Sequence, residues 1–318
     1  MDWTLVARSA LIWRMVFLSA FSFFCVCRDS PFGIICGDRE KRIKPHSIRE
    51  NPVVTETGVP PLLELNRVTV IRGDENKRVL DRISFKVLPG EHVAILGPNG
   101  AGKSSLIKVI TREYYPLARK GSFCKVWGEK HWNIFELRHL CGIVSNDLQG
   151  MYARDISGLE AVLSGFFGSI GLQQNRVTPA QKRKALKILK FLGIESLKDR
   201  KMSVMSSGEA RRFLIGRALV HDPRALILDE PTHSLDIKAA YHFKRMMRKI
   251  AASGVSIILV TQNLQDIIPE ISKIIFMKNG RVMMEGPKKA VLTRRNISRL
   301  FDMPIPVTRK KGYYYAMV

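Results

Sequence analysis

Long apolar runs are missing from this sequence. None reaches the roughly 18 to 20 residues that a bilayer-spanning helix needs, which excludes a helical channel built from this chain alone. Cysteine is scarce. The five present (Cys25, Cys27, Cys36, Cys124 and Cys141) make an odd count with no C-x-x-C pair, which argues against a disulfide framework or a zinc site and fits a reducing intracellular home. Acidic residues are few beside basic ones: 28 Asp and Glu against 52 Lys and Arg, a net charge of +24. That balance implies an acidic partner, whether a nucleotide, a nucleic acid or an anionic lipid surface. No stretch repeats, so two similar domains in tandem are excluded. What is present is ordinary: 318 residues, 46% hydrophobic and 25% charged. Such a composition excludes collagen-like, mucin-like and wholly disordered chains, and the length suits about two domains or one large domain with appendages.

The nearest approach to an apolar segment is Met15 to Cys27, flanked by Arg8, Arg14 and Arg28. It has the outline of a signal-peptide core but lacks a small-residue cleavage site. Secretion, an organellar or membrane-associating leader, and an incidental extension all stand as readings. Residues 29–60, rich in proline, charge and single glycines, read as a linker, so the folded domain is expected from about Pro61. Short β-branched runs then alternate with helix-period segments. Leu63 to Val70, Ile83 to Val87 and His92 to Leu96 read as strands, as do the near-continuous apolar runs Ala225 to Leu228, Ser256 to Val260 and Ile274 to Lys278. Such runs suit parallel strands covered on both faces, and the alternation predicts an α/β sheet with crossover helices. Between Ala153 and Met202 the pattern turns helical, with Thr178 and Pro179 opening a helix to Leu192.

Two segments carry chemistry. After the strand ending at Leu96 come Gly97, Pro98, Asn99, Gly100, Ala101, Gly102, Lys103 and Ser104, matching G-x-x-x-x-G-K-[ST] at every fixed position and followed by Ser105 and a helix. Glycines let successive amides point at phosphate oxygens, Lys103 adds a charge for the β and γ phosphates, and the Ser104 hydroxyl suits Mg²⁺. A plain glycine-rich turn with a surface lysine is the structural alternative. Farther on, the strand from Ala225 ends in Asp229 and Glu230, where open α/β sheets place ligands. Asp229 would hold the metal and Glu230 would orient or deprotonate the attacking water. The structural alternative here is a solvated acidic turn.

With Met205-Ser206-Ser207-Gly208-Glu209 between these segments and Ser234-Leu235-Asp236 after them, the chain resembles the ATP-binding cassette (ABC) ATPases over about residues 62–290. A weaker likeness, in Asp266 to Ile271, is to the molybdate- or metal-type cassettes. The resemblance implies a P-loop core with a mostly parallel sheet, an N-terminal antiparallel β part and a helical insertion at about 150–205. It implies a nucleotide-binding domain at 61–304, after an extension at 1–60 and before a basic, aromatic tail at 305–318. It also implies ATP and Mg²⁺ as ligands, and head-to-tail pairing of two cassettes that places Ser206, Gly208 and the D-loop Asp236 against nucleotide. A separate membrane-spanning permease would be the partner, with this chain cytoplasmic at the inner face of a membrane.

Several positions depart from the family pattern. Ser207 and Glu209 replace a glycine and a glutamine of the signature; Ser206-x-x-Glu209 is also a capping box, so Glu209 is expected to face its own backbone. Asn146 stands at the glutamine-loop position as a candidate metal ligand, with Gln149 three residues on. Gln262 replaces the switch histidine; it retains a donor without charge, which makes slow hydrolysis an expectation. Arg72 stands where a base-stacking aromatic is usual, either to stack on adenine or as a solvated arginine. Basic clusters at Lys182 to Lys201, Lys244 to Lys249 and Lys288 to Lys311 leave solvated faces, a membrane surface and RNA as readings. Beside the transporter subunit stand two rivals: a soluble regulator of RNA or ribosomes, and an ATP-gated dimer with little hydrolysis. The tail Tyr313 to Tyr315 reads as a terminal strand or an aromatic anchor.

Overall fold

The computed structural model describes residues 59–73, 77–152 and 154–317; residues 1–58, which hold the apolar segment and nearly all of the linker, lie outside them. Two long strands, β1 (Leu63–Arg72) and β2 (Lys77–Val87), pair antiparallel with Leu63 opposite Val87 and Arg72 opposite Lys77. Both are rich in Val, Ile and Leu, and their inward positions supply one core. β3 (Val93–Leu96) is four buried apolar residues and leads into α1 (Lys103–Ile110). β4 (Phe123–Val126) returns to β1, completing a three-stranded antiparallel sheet in the order β2-β1-β4.

After α2 (Ile134–Leu140), strand β5 (Cys141–Val144) joins the sheet of β3, and four helices follow: α3 (Asn146–Met151), then α4 (Gly158–Leu163) and α5 (Pro179–Leu192) within the expected helical insertion, then α6 (Ser207–Leu219). Helices α4, α5 and α6 all begin with capping boxes, Ser157 with Glu160, Thr178 with Gln181 and Ser206 with Glu209. Each box satisfies amides that a helix start leaves unpaired, and a cap of this kind stabilises by about 1 kcal/mol. Helix α5 buries the stripe Ala185, Leu189 and Leu192 and leaves its lysines outside.

The chain then alternates β6 (Ala225–Asp229), α7 (Ile237–Ala252), β7 (Ser256–Thr261) and β8 (Lys273–Lys278), closing with the antiparallel β9 (Arg281–Pro287). The sheet order is β5-β6-β7-β3-β8-β9. All neighbours are parallel except β8 with β9. This is the mostly parallel sheet with an antiparallel β part and helical insertion that the sequence implied.

After the short α8 (Lys288–Val291) and α9 (Arg294–Phe301), β10 (Val307–Lys310) and β11 (Tyr313–Ala316) form a hairpin. The terminal tyrosines are a strand, and Tyr314 is buried in the larger core. The sequence reading did not anticipate β4, β5, β9 or β10. β4 and β5 are four residues each, β9 is at most half-buried and β10 largely exposed, and neither has the continuous apolar run of the central strands.

Candidate functional site

Register brings the chemistry-bearing segments to one edge of the parallel sheet. Leu96 of β3 lies opposite Thr261 of β7, and Asp229 of β6 lies opposite Val260 of β7. The loop after β3, the acidic pair ending β6 and the turn after β7 therefore emerge side by side at the strands' C-terminal ends, where parallel sheets bind ligands. β5 ends next to β6, with Val144 opposite Leu228, so Ser145 and α3 emerge at the same edge. Asn146 begins α3, and its side chain lies outside what the structure describes.

The loop from Gly97 to Ser104 is held from below and open above. A Cβ on Gly97 would sit 2.3 Å from the Met277 carbonyl oxygen, and one on Gly102 would sit 2.8 Å from that of Val79 at a φ of +96°. Neither position admits another residue without moving the backbone. Gly102 is the N-cap of α1 and supplies no side-chain cap, so the first amides of the helix stay available to an anion. Pro98 is half-buried, Asn99 and Gly100 are exposed and Ala101 is buried beneath them; Ser104 is exposed and Ser105 half-buried. Lys103 is buried, and its Nζ donates to the carbonyls of Gly97 at 2.9 Å and Pro98 at 3.0 Å while lying 3.4 Å from Glu230 Oε1.

The acidic pair is an electrostatically loaded spot. Asp229 Oδ1 is buried with no hydrogen-bond partner. Burial first, and then the neighbouring Glu230 charge, push the Asp229 carboxyl up to about 6, with Lys103 opposing and Asp147 of α3 adding to the rise. An orphaned buried carboxylate oxygen at the same sheet edge as the phosphate loop that carries Ser104 is a hard oxygen donor of the kind Mg²⁺ takes, so these residues fit the ion. Glu230 has a φ of +45°, unusual for a residue with a side chain, and its N–H donates to Val260 O at 2.8 Å. Beneath the pair, the buried Asp266 accepts hydrogen bonds from Thr232 Oγ1 and, at 2.7 Å, from Thr261 Oγ1. It thereby ties the turn after β6 to the end of β7. Burial raises the Asp266 carboxyl, and the two threonines oppose that rise.

The signature turn sits at the start of α6. Ser206 Oγ accepts from the Glu209 N–H at 3.2 Å, and Glu209 Oε2 accepts from the Ser206 N–H at 2.9 Å, so Glu209 does face its own backbone. Gly208 has a structural role the sequence did not reveal: a Cβ there would lie 2.8 Å from Ala239 Cβ, so glycine is what lets α6 approach α7. Ser207 Oγ donates to Ser234 O at 3.3 Å, and Asp236 caps α7 by accepting from the Ala239 N–H at 2.7 Å. The turn at 206–209 and the segment 234–239 are thus one packed unit.

Arg211 and Gln149 complete the wiring, and sequence reasoning gave neither a role at the acidic pair. The buried Arg211 donates to Gln149 Oε1 at 3.0 Å and to the carbonyls of Glu230, Pro231 and His233, the backbone just past the acidic pair. Gln149 Nε2 also donates to Ser207 O at 3.3 Å. Arg211 was missed because its sequence neighbourhood, Glu209-Ala210-Arg211-Arg212, resembles an exposed helix start. A charged residue amid the otherwise apolar buried stripe of α6 was the available signal. Gln262 is half-buried directly after β7, at the edge shared with Glu230. Arg72, at the end of β1, lays its guanidinium over the Tyr114 ring at 5.1 Å, beside a shallow cavity of about 170 Å³ that both residues line.

Comparison with known proteins follows the same lines. A family model described as ABC transporter matches residues 80–233. YlmA of Bacillus subtilis (strain 168), an uncharacterized ABC transporter ATP-binding protein, is 36% identical over 257 residues, which cover 77% of this chain and 93% of YlmA. CbiO1 from Clostridium perfringens, part of the ABC transporter complex cbiONQ, superposes with a TM-score of 0.62 at 27% identity, over 76% of this chain and 94% of its own. The ATP-binding cassette MJ0796, solved as a dimer in a post-hydrolysis state with ADP and Pi, superposes with a TM-score of 0.58 at 25% identity, over 71% of this chain and 98% of its own.

Proposed function

The chain belongs to the ABC transporter family, and on that premise we propose that it is the ATP-binding and ATP-hydrolysing subunit of a transporter, pairing head to tail around MgATP and driving a separate membrane-spanning partner. The observation that carries the reading is the meeting, at one sheet edge, of the phosphate loop with its buried Lys103 and the orphaned Asp229 oxygen beside Glu230. Among the described residues no helix is long and apolar enough to cross a membrane.

Each step falls to a group already in place. The loop amides and the first turn of α1 receive the phosphates, while Lys103 Nζ exchanges its bonds to Gly97 O, Pro98 O and Glu230 for phosphate oxygens. The Ser104 hydroxyl and the Asp229 carboxylate are the residues that would hold Mg²⁺, which supplies neutralising charge for those oxygens. Glu230, released from Lys103 and fixed through its backbone by Val260 and Arg211, orients the attacking water and accepts its proton. Ser206 and the amides opening α6 face the partner subunit's nucleotide, braced by Asp236 and Ala239. Arg72 offers a guanidinium plane for the base, with Tyr114 behind it. Asn146 remains the candidate for the glutamine-loop metal ligand.

Gln262 stands where the family places a histidine and offers a neutral donor in place of one that can carry charge. A neutral hydrogen bond is about half as strong as a charge-assisted one, so slower hydrolysis is part of the proposal. The subunit reading is tested by MgATP binding and turnover of the purified chain. Lys103→Ala removes both, and undiminished affinity in that variant refutes the assignment. The RNA-regulator reading gains nothing from the comparisons, and several of its basic residues are engaged by acids: Lys184 with Asp222, Lys198 with Asp199 and Lys201 with Asp155.

A further inference from the structure

The acidic Glu209 in the signature turn presents a physical problem. On the head-to-tail reading above, that turn faces the partner subunit's γ-phosphate, and a carboxylate one turn from the phosphate repels it. Hydrogen bonding from the Ser206 backbone, opposed by burial and assisted by the charges of Arg200 and Arg212, holds the Glu209 carboxyl below its ordinary value, so at neutral pH the charge is present.

Arg200 answers it. Its Nη1 lies 3.4 Å from both carboxylate oxygens of Glu209. Its Nη2 donates to the Val204 carbonyl at 3.0 Å, and its own carbonyl accepts from the Gly158 N–H at 3.0 Å, which holds it between the start of α4 and the residue just before the signature turn. The geometry does not suit a purely stabilising bridge. Arg200 is 45% exposed and Glu209 21% exposed, and exposed pairs of this kind add little to folding.

We propose that Arg200 is a positioning residue of the signature turn: it cancels the Glu209 charge so that a turn acidic in sequence accepts the partner subunit's nucleotide as a glutamine-bearing turn would. Glu209 keeps its capping role at the start of α6, and Arg200 supplies the neutrality that a glutamine would have given without help. The inference rests on the head-to-tail reading and adds the residue that makes this chain's altered signature workable.

The test uses the full chain with Mg²⁺ and a non-hydrolysable ATP analogue. Dimerisation is followed by sedimentation velocity, and analogue affinity is followed separately on the dilute monomer. Arg200→Gln leaves the carboxylate with only the Ser206 amide and the Arg212 charge against it, and is expected to weaken association about tenfold at each of two sites, hence about a hundredfold in the dimer constant. Monomer affinity for the analogue stays unchanged, because the phosphate loop is intact. Arg200→Gln combined with Glu209→Gln restores association to within a few-fold of the parent, a rescue that a merely structural role for Arg200 would not give. Parental association in Arg200→Gln overturns the proposal, and so does a loss that Glu209→Gln fails to rescue. If the parent chain binds the analogue but never dimerises, the head-to-tail reading itself falls, and that result is visible before any variant is made.

Discussion

Replacing Asp229 by asparagine should reveal a stability cost that the candidate site carries for the sake of its chemistry. Burial and the Glu230 charge raise the Asp229 carboxyl from its ordinary 3.8 to about 6. An aspartate raised in the fold binds its proton more tightly there than in the unfolded chain. Its contribution to stability is therefore fully present below 3.8 and lost as pH climbs through about 6. At about 1.36 kcal/mol per decade the full loss is on the order of 3 kcal/mol, of which about 2 kcal/mol falls between pH 4.5 and 7.5. The amide introduced by Asp229→Asn cannot ionise, so the difference in urea unfolding free energy, variant minus parent, should grow by about that amount over the same range, whatever constant offset the amide introduces. Saturating MgATP should stabilise the parent more than the variant, because a cation supplies the partner that Asp229 Oδ1 lacks. A difference that stays flat with pH would show that Asp229 ionises at its ordinary value, and the reasoning from its buried oxygen would be wrong.

The other predictions are shorter. Gln262→His should raise turnover by about tenfold, the gain from a charge-assisted over a neutral hydrogen bond being about 1 kcal/mol; single-turnover kinetics with no gain would remove the slow-hydrolysis reading. Arg211→Gln strips donors from the carbonyls of Pro231 and His233. It should cost about 1–3 kcal/mol of stability and lower kcat while leaving ATP affinity nearly unchanged, as separate urea and binding titrations would report. Tyr314→Ala empties a buried position in the larger core and should destabilise by about 3 kcal/mol; a neutral result would mean the terminal hairpin does not pack there.

The sequence by itself determined what depends on short-range chemistry. The phosphate loop was legible because glycine spacing, a lysine and a helix start are all local requirements. So were the central strands, whose burial on both faces leaves continuous apolar runs, and the helix capped by Ser206, whose capping box spans four residues. Only the tertiary structure decided which segments meet. Parallel register set Asp229 beside Val260 and Leu96 beside Thr261. Packing, not phosphate contact alone, turned out to require glycine at 208, because Ala239 lies against it. Arg211 reaches the backbone behind Glu230 from a helix that begins far away in the chain, and Arg200 reaches Glu209 across a turn. Long side chains of this kind carry no periodic signal. Their partners are chosen by the three-dimensional approach of backbones, which a linear pattern does not encode.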